Sequence, residues 1–108
     1  MARSFYRIVK SDPPTLTDFL SDRAKGRPPA EEPAHLRLHD GLSVYATVAQ
    51  ARRKARALPM LGQYVAVLRI LDDTPLRYER TIAISGGHHT VWGDPDALLG
   101  CVEAVVTV

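Results

Sequence analysis

The run Gln63-Tyr64-Val65-Ala66-Val67-Leu68-Arg69-Ile70-Leu71 constrains this chain more than any other feature. An almost continuous apolar stretch of this length, rich in valine and isoleucine, has the composition of a strand covered on both faces. It belongs at the centre of a sheet. The chain has 108 residues, enough for one domain with a real core and too few for two, so residues 1–108 are expected to form a single domain around that strand. A hydrophobic content of 45% against 24% charged residues places it in the globular range rather than among disordered chains.

Around the central run the chain punctuates itself clearly. Ser4 to Val9 reads as a strand that stops at Asp12-Pro13-Pro14, which neither a helix nor a central strand interior accepts. Thr15, three residues before Asp18, forms an acidic variant of the capping box. Leu16, Phe19, Leu20 and Arg23 follow at helical spacing, which predicts a short helix ending at Lys25-Gly26. Residues 27–34, with three prolines and two glutamates, read as an irregular surface loop. Leu42 to Ala46 is a second strand. Thr47 with Gln50 opens a helix to about Leu58, with Val48, Ala51, Ala55 and Leu58 on one face and Arg52, Arg53, Lys54 and Arg56 on the others.

Beyond the central run, Tyr78 to Ile84 alternates weakly, Gly86-Gly87 suits a hairpin turn, and His88 to Trp92 is a short strand. Asp94-Pro95 supplies an N-cap and a first-turn proline for one helical turn through Leu99, and Val102 to Val108 is the last strand. Strand, helix, strand, helix and then four strands imply an α+β domain with a mostly antiparallel sheet. The glycine-rich phosphate fingerprints of doubly wound nucleotide folds are absent from the sequence.

Two residues in the strand-like runs stand out chemically. Arg7, in Phe5-Tyr6-Arg7-Ile8-Val9, offers a guanidinium fork suited to a phosphate or carboxylate, and Tyr45, in Gly41-Leu42-Ser43-Val44-Tyr45-Ala46-Thr47, offers a face suited to a planar ring. The same residues have structural readings, Arg7 as a partner of a local carboxylate and Tyr45 as a core aromatic. Together with the alanine-rich helix containing Ala49, Ala51 and Ala55, these runs resemble the small ADP-ribosyltransferase-like domains, including the RES-type toxins. The resemblance covers about half of the chain. It implies a split antiparallel sheet with two short helices, a nucleotide ligand with NAD as cofactor, and Arg7, Ser43 and Tyr45 as the residues holding it. It also implies NAD-consuming transferase or glycohydrolase activity, and a protein partner such as a neutralising antitoxin.

The third element of that site departs from the family. Breaking the nicotinamide–ribose bond develops positive charge on the sugar, which a carboxylate stabilises. Chain order puts that position near His88 to Thr90, where no carboxylate stands; Glu79 and Asp94 would reach it only through an unusual sheet geometry, and Glu103 in the last strand comes too late. The catalytic candidates there are His88 and His89, since imidazole suits proton transfer or anion binding near neutral pH. Strand neighbours face opposite ways, so the two cannot both enter one pocket. The expectation is a cleft lined by Arg7, Tyr45 and one of the two histidines, and the sequence leaves open whether it catalyses anything.

Other features carry less. His35, His39 and Asp40 share a spacing that a metal site would use, but two surface histidines beside a loop explain them, and no metal is expected. The basic helix 48–58 offers an alternative reading as a non-catalytic module binding protein or nucleic acid. It lacks interleaved aromatics, and the net charge of +2 does not demand an anionic polymer, so nucleic acid is disfavoured. Trp92 reads as a core or pocket wall. A single cysteine, Cys101, no apolar leader and no apolar run of the roughly 20 residues needed to cross a bilayer point to a cytoplasmic protein without a membrane span.

Overall fold

A computed structural model describes residues 2–21, 41–81 and 87–108. One antiparallel sheet of six strands organises them. In chain order the strands are β1 (Ala2–Val9), β2 (Leu42–Tyr45), β3 (Tyr64–Leu71), β4 (Arg77–Arg80), β5 (His88–Trp92) and β6 (Val102–Thr107). Across the sheet they run β4-β5-β2-β1-β3-β6. Helix α1 (Val48–Ala57) follows β2, and α2 (Pro95–Gly100) separates the last two strands. The α+β class read from the sequence holds, with every pairing antiparallel.

The caps that the sequence announces are formed. Thr47 Oγ1 accepts from Gln50 N while Gln50 Oε1 accepts from Thr47 N, each at 3.2 Å, so α1 starts where its capping box stands. Asp94 Oδ1 accepts from Asp96 N at 2.9 Å and starts α2 behind Pro95. The stretch after Thr15 differs from expectation. Asp18 does reach back to Thr15 N, at 2.9 Å, but the result is a 3-10 turn over Leu16–Phe19, and Leu20 is already extended. With only Phe19 of this turn buried, there is no long apolar stripe to hold further helical turns on the sheet. Residues 23–26, where the helix was expected to end, lie outside the described residues, as do Ile84 and Gly86 of the β4–β5 connection.

The sheet packs on both faces, unequally. On one face Phe5, Val9, Leu42, Val44, Ala66, Leu68, Ile70 and Val91 form a large cluster closed by Phe19 and by Leu98 of α2. On the other, α1 lays Ala51 and Ala55 against Ile8, Tyr45 and Val65. The Gln63–Leu71 run is not at the centre of the sheet, as its composition suggested: β3 lies between β1 and the edge strand β6, and it is covered on both faces over only part of its length. Val65 and Ala66 are buried on opposite faces, but further along β3 Leu68 and Ile70 remain buried while Arg69 and Leu71 are exposed, because α1 covers only the first half of the strand. No helix among the described residues is long and apolar enough to cross a membrane.

β1 is held very differently on its two sides. Against β3 it runs in register for its whole length, from Ala2↔Leu71 to Val9↔Tyr64. Against β2 it has one register pair, Tyr6↔Tyr45. Toward Lys10 and Gly41 the seam between β1 and β2 is therefore open, and side chains rather than backbone ladders fill it.

Candidate functional site

A cavity of about 570 Å³ occupies the open end of the β1–β2 seam, within the size range of small-ligand pockets. The pairing Tyr6↔Tyr45 puts those two side chains on one face, so the pleat places Arg7 on the other face from Tyr45. A closed sheet would keep Arg7 and Tyr45 apart. The open seam lets both line the same cavity, with Ser43 between them and His88 beyond.

Arg7 is fixed by the seam it fills. Its Nε donates to Asp18 O in the 3-10 turn and its Nη1 to Ser43 O in β2, both at 2.8 Å, so the guanidinium takes up a β2 carbonyl of the seam and ties the turn to it. Asp18 is the one carboxylate among the described lining residues, and its oxygens are engaged. They accept from Lys10 N at 2.9 Å, Thr15 N at 2.9 Å and Ser11 Oγ at 3.1 Å. Burial pushes the Asp18 carboxyl up, but those hydrogen bonds and the Arg7 charge outweigh it and hold it below the usual carboxylate value. This group is a turn-former and an anion at neutral pH.

The floor of the cavity is aromatic. Tyr45 and His88 meet edge to face, with centroids 5.4 Å apart and planes at 86°. Burial raises the Tyr45 phenol and the nearby Arg7 charge pulls it part of the way back, so it is a neutral hydroxyl at physiological pH. His88 is 6% exposed and its Nδ1 is buried without a hydrogen-bond partner. Burial first, then the positive charge of Lys54 and of neighbouring His89, push its imidazole below the ordinary histidine value, so it is neutral. Lys10 and Lys54 add two more cations to the lining, and Ile8, Leu20, Leu58, Met60 and Leu61 give it an apolar side. Met60 is 75% exposed, an apolar side chain standing at the rim.

Comparison with protein families, curated proteins and solved structures finds no match for this chain.

His89 lies on the opposite face from His88. Its Nδ1 is 2.9 Å from Gly87 O and its Nε2 is 3.3 Å from Arg3 Nη2, and its ring packs 5.0 Å from Phe5. A carbonyl only accepts, so Nδ1 carries the proton and Nε2 accepts from Arg3. Both nitrogens are spent on structure, and the structure does not bring His89 to Arg7. The cavity also draws in two residues that sequence reasoning passed over. Lys10 sits just beyond the first strand. Lys54 belongs by sequence to the solvated basic face, although it lies three residues after Ala51 and four before Leu58, on the margin of the apolar stripe.

The basic helix is not one surface. Arg52 Nε donates to Thr107 O at 3.1 Å and Arg56 Nη2 to Val108 O at 3.4 Å, tying α1 to the end of β6, while Lys54 turns to the cavity. Trp92 is half-buried beneath Arg77, whose guanidinium stands 5.1 Å from its ring. Among the described residues no group of three or more metal-ligating side chains occurs, and His35, His39 and Asp40 lie outside them.

Proposed function

We propose that this domain binds a nucleotide-like ligand, with NAD the leading candidate, in the cavity at the β1–β2 seam. One observation carries the reading: Arg7, Lys10 and Lys54 converge with Tyr45 and His88 on a single cavity, which suits a ligand joining an anionic group to a planar ring. The resemblance of β1, β2 and α1 to ADP-ribosyltransferase-like domains supports the same ligand and the same fold family. Arg7 pins one wall at an anion's natural partner, Ser43 contributes its exposed side chain at the mouth, and Tyr45 provides the stacking edge.

Binding is the core of the proposal and turnover is secondary to it. Transferase or glycohydrolase chemistry on NAD calls for a carboxylate beside the ribose, and Asp18 spends its oxygens on the turn from Lys10 to Thr15. The alternative of a nucleic-acid module on α1 loses support because Arg52 and Arg56 serve β6.

Calorimetry with NAD, adenosine monophosphate and nicotinamide mononucleotide tests the proposal. The wild-type chain is expected to bind at least one of them, and Arg7→Ala to lose about 1.5–3 kcal/mol of that affinity, the range for a hydrogen bond to a charged group. Absence of binding by the wild type at millimolar ligand sinks it.

A further inference from the structure

Within the cavity, one corner has unusual properties. Tyr45 comes to it from β2, Lys54 from α1 and His88 from β5, and all three line the same space. More than nine-tenths of His88 is buried, and its Nδ1 makes no hydrogen bond. Leaving a buried polar atom unpartnered costs stability, and the residue that bears this one lines the cavity. Among the described residues the Lys54 ammonium makes no ion pair or hydrogen bond either.

We propose that this corner is a proton-linked anion subsite: it takes a phosphate or carboxylate group between Lys54 and His88, and His88 picks up a proton from solvent as the anion enters. The proposal rests on the cavity being a ligand site and adds to it a second anion contact besides Arg7 and how pH controls occupancy.

The groups that face His88 decide the sign. Lys54 bears on it from α1, His89 from its own strand, and Arg7 from β1 lies across the cavity beside Tyr45. The sole carboxylate in the described lining, Asp18, is bound to its own turn. Burial and the positive charge of Lys54 and His89 favour the neutral imidazole. An anion placed between the two nitrogenous groups cancels the Lys54 charge at the imidazole and adds an attraction of its own, so the protonated ring becomes the favoured form. The charged ring then donates to the anion, and on release the proton returns to solvent. Affinity for the anion therefore rises as pH falls from 8 to 6, opposite to what a fixed-charge site would do with a phosphate that becomes less anionic.

The His88 ring resonances of isotopically labelled wild-type protein are followed against pH, alone and with inorganic phosphate, acetate, adenosine monophosphate or adenosine. The expected result is that phosphate and adenosine monophosphate move the His88 midpoint to higher pH while uncharged adenosine does not. Acetate acting as phosphate does widens the class to carboxylates, and acetate without effect narrows it to phosphates. Lys54→Met should weaken phosphate about tenfold or more and abolish the response, and His88→Gln should bind phosphate with no pH-dependent gain. Binding of phosphate or nucleotide with an unmoved His88 midpoint overturns this proposal and leaves the nucleotide site standing. A response to phosphate without nucleotide binding upholds the subsite and removes the nucleotide reading. No binding of any anion at millimolar concentration overturns both.

Discussion

The two flanks of β1 are built on opposite terms. On the β3 side the strand is zipped from Ala2 to Val9, and every residue there is spent on the sheet. On the β2 side one register pair holds it, and what would be ladder becomes cavity. The comparison teaches that the site is not an addition to the fold: it is the place where pairing stops and a side chain, Arg7, takes up a β2 carbonyl of the seam.

Breaking the zipped flank should have the largest effect. Leu68 is fully buried in β3, and Leu68→Ala is expected to cost about 2–5 kcal/mol of stability, read as a fall in the denaturant midpoint. Affinity per folded molecule should hardly change. A loss of ligand affinity as large as the loss of stability would show that the two flanks are not separable.

Backbone geometry at the start of β3 gives the next effect. Gly62 has φ of 147°, and a Cβ there would collide with the Val9 carbonyl, so Gly62→Ala is expected to cost about 1–3 kcal/mol or more in the same measurement. An alanine variant as stable as the wild type would refute the close approach of the two strands at this point.

On the open flank stability and ligand affinity should fall together. Arg7→Ala removes two side-chain hydrogen bonds to carbonyl oxygens and is expected to cost about 1–3 kcal/mol of stability, in addition to its effect on ligand. Arg7→Lys keeps the charge but loses the fork, and should recover less than half of the stability. Full recovery by lysine would mean that charge, not the stitching of the seam, is what Arg7 contributes.

Acid sharpens the comparison further. His88 has its folded-state proton affinity depressed, so the folded and unfolded chains are alike above pH 6.5 and the unfolded chain takes up protons first below it. Stability should fall as pH drops below 6.5 and level off under the folded value, and His88→Gln should flatten that part of the profile. Asp18, also depressed, contributes stability that is present above pH 3.8 and lost below it as the folded carboxyl titrates. A wild-type profile that is flat between pH 7 and 5 would remove the buried neutral His88. The smallest effect is kinetic: the Ser43 amide leaves the strand on the side of its carbonyl, into the seam, and should exchange with solvent faster than the paired amides of β1 and β3.

The strands and both helix caps were legible because their signals are local. Val65 and Leu68 announce a strand, and Thr47-Gln50 and Asp94-Pro95 announce helix starts, by residues a few positions apart. The helix after Thr15 was overread, since spacing at Leu16, Phe19 and Leu20 says nothing about whether a surface awaits those side chains. The open seam was not legible, because the pairing of β1 along its whole length with β3 rather than with β2 is decided by packing between segments far apart in the chain. For the same reason alternation said that only one of His88 and His89 could enter the cleft, while the register Tyr45↔His88 that selects His88 exists only in the folded sheet.

In mechanical terms the sheet is two leaves of three strands, β4-β5-β2 and β1-β3-β6, meeting along a spine with a single rivet at Tyr6 and Tyr45. α1 touches β1, β2 and β3 and so splints that spine from one side only. The backbone ladder between the leaves is thus at its thinnest along one line, where side chains such as Phe5 against Tyr78 and His89 carry the contact. A change in the angle between the leaves alters the width of the seam before it disturbs either leaf, so any load or partner that opens or closes the pair acts first on the distance between Arg7 and Tyr45.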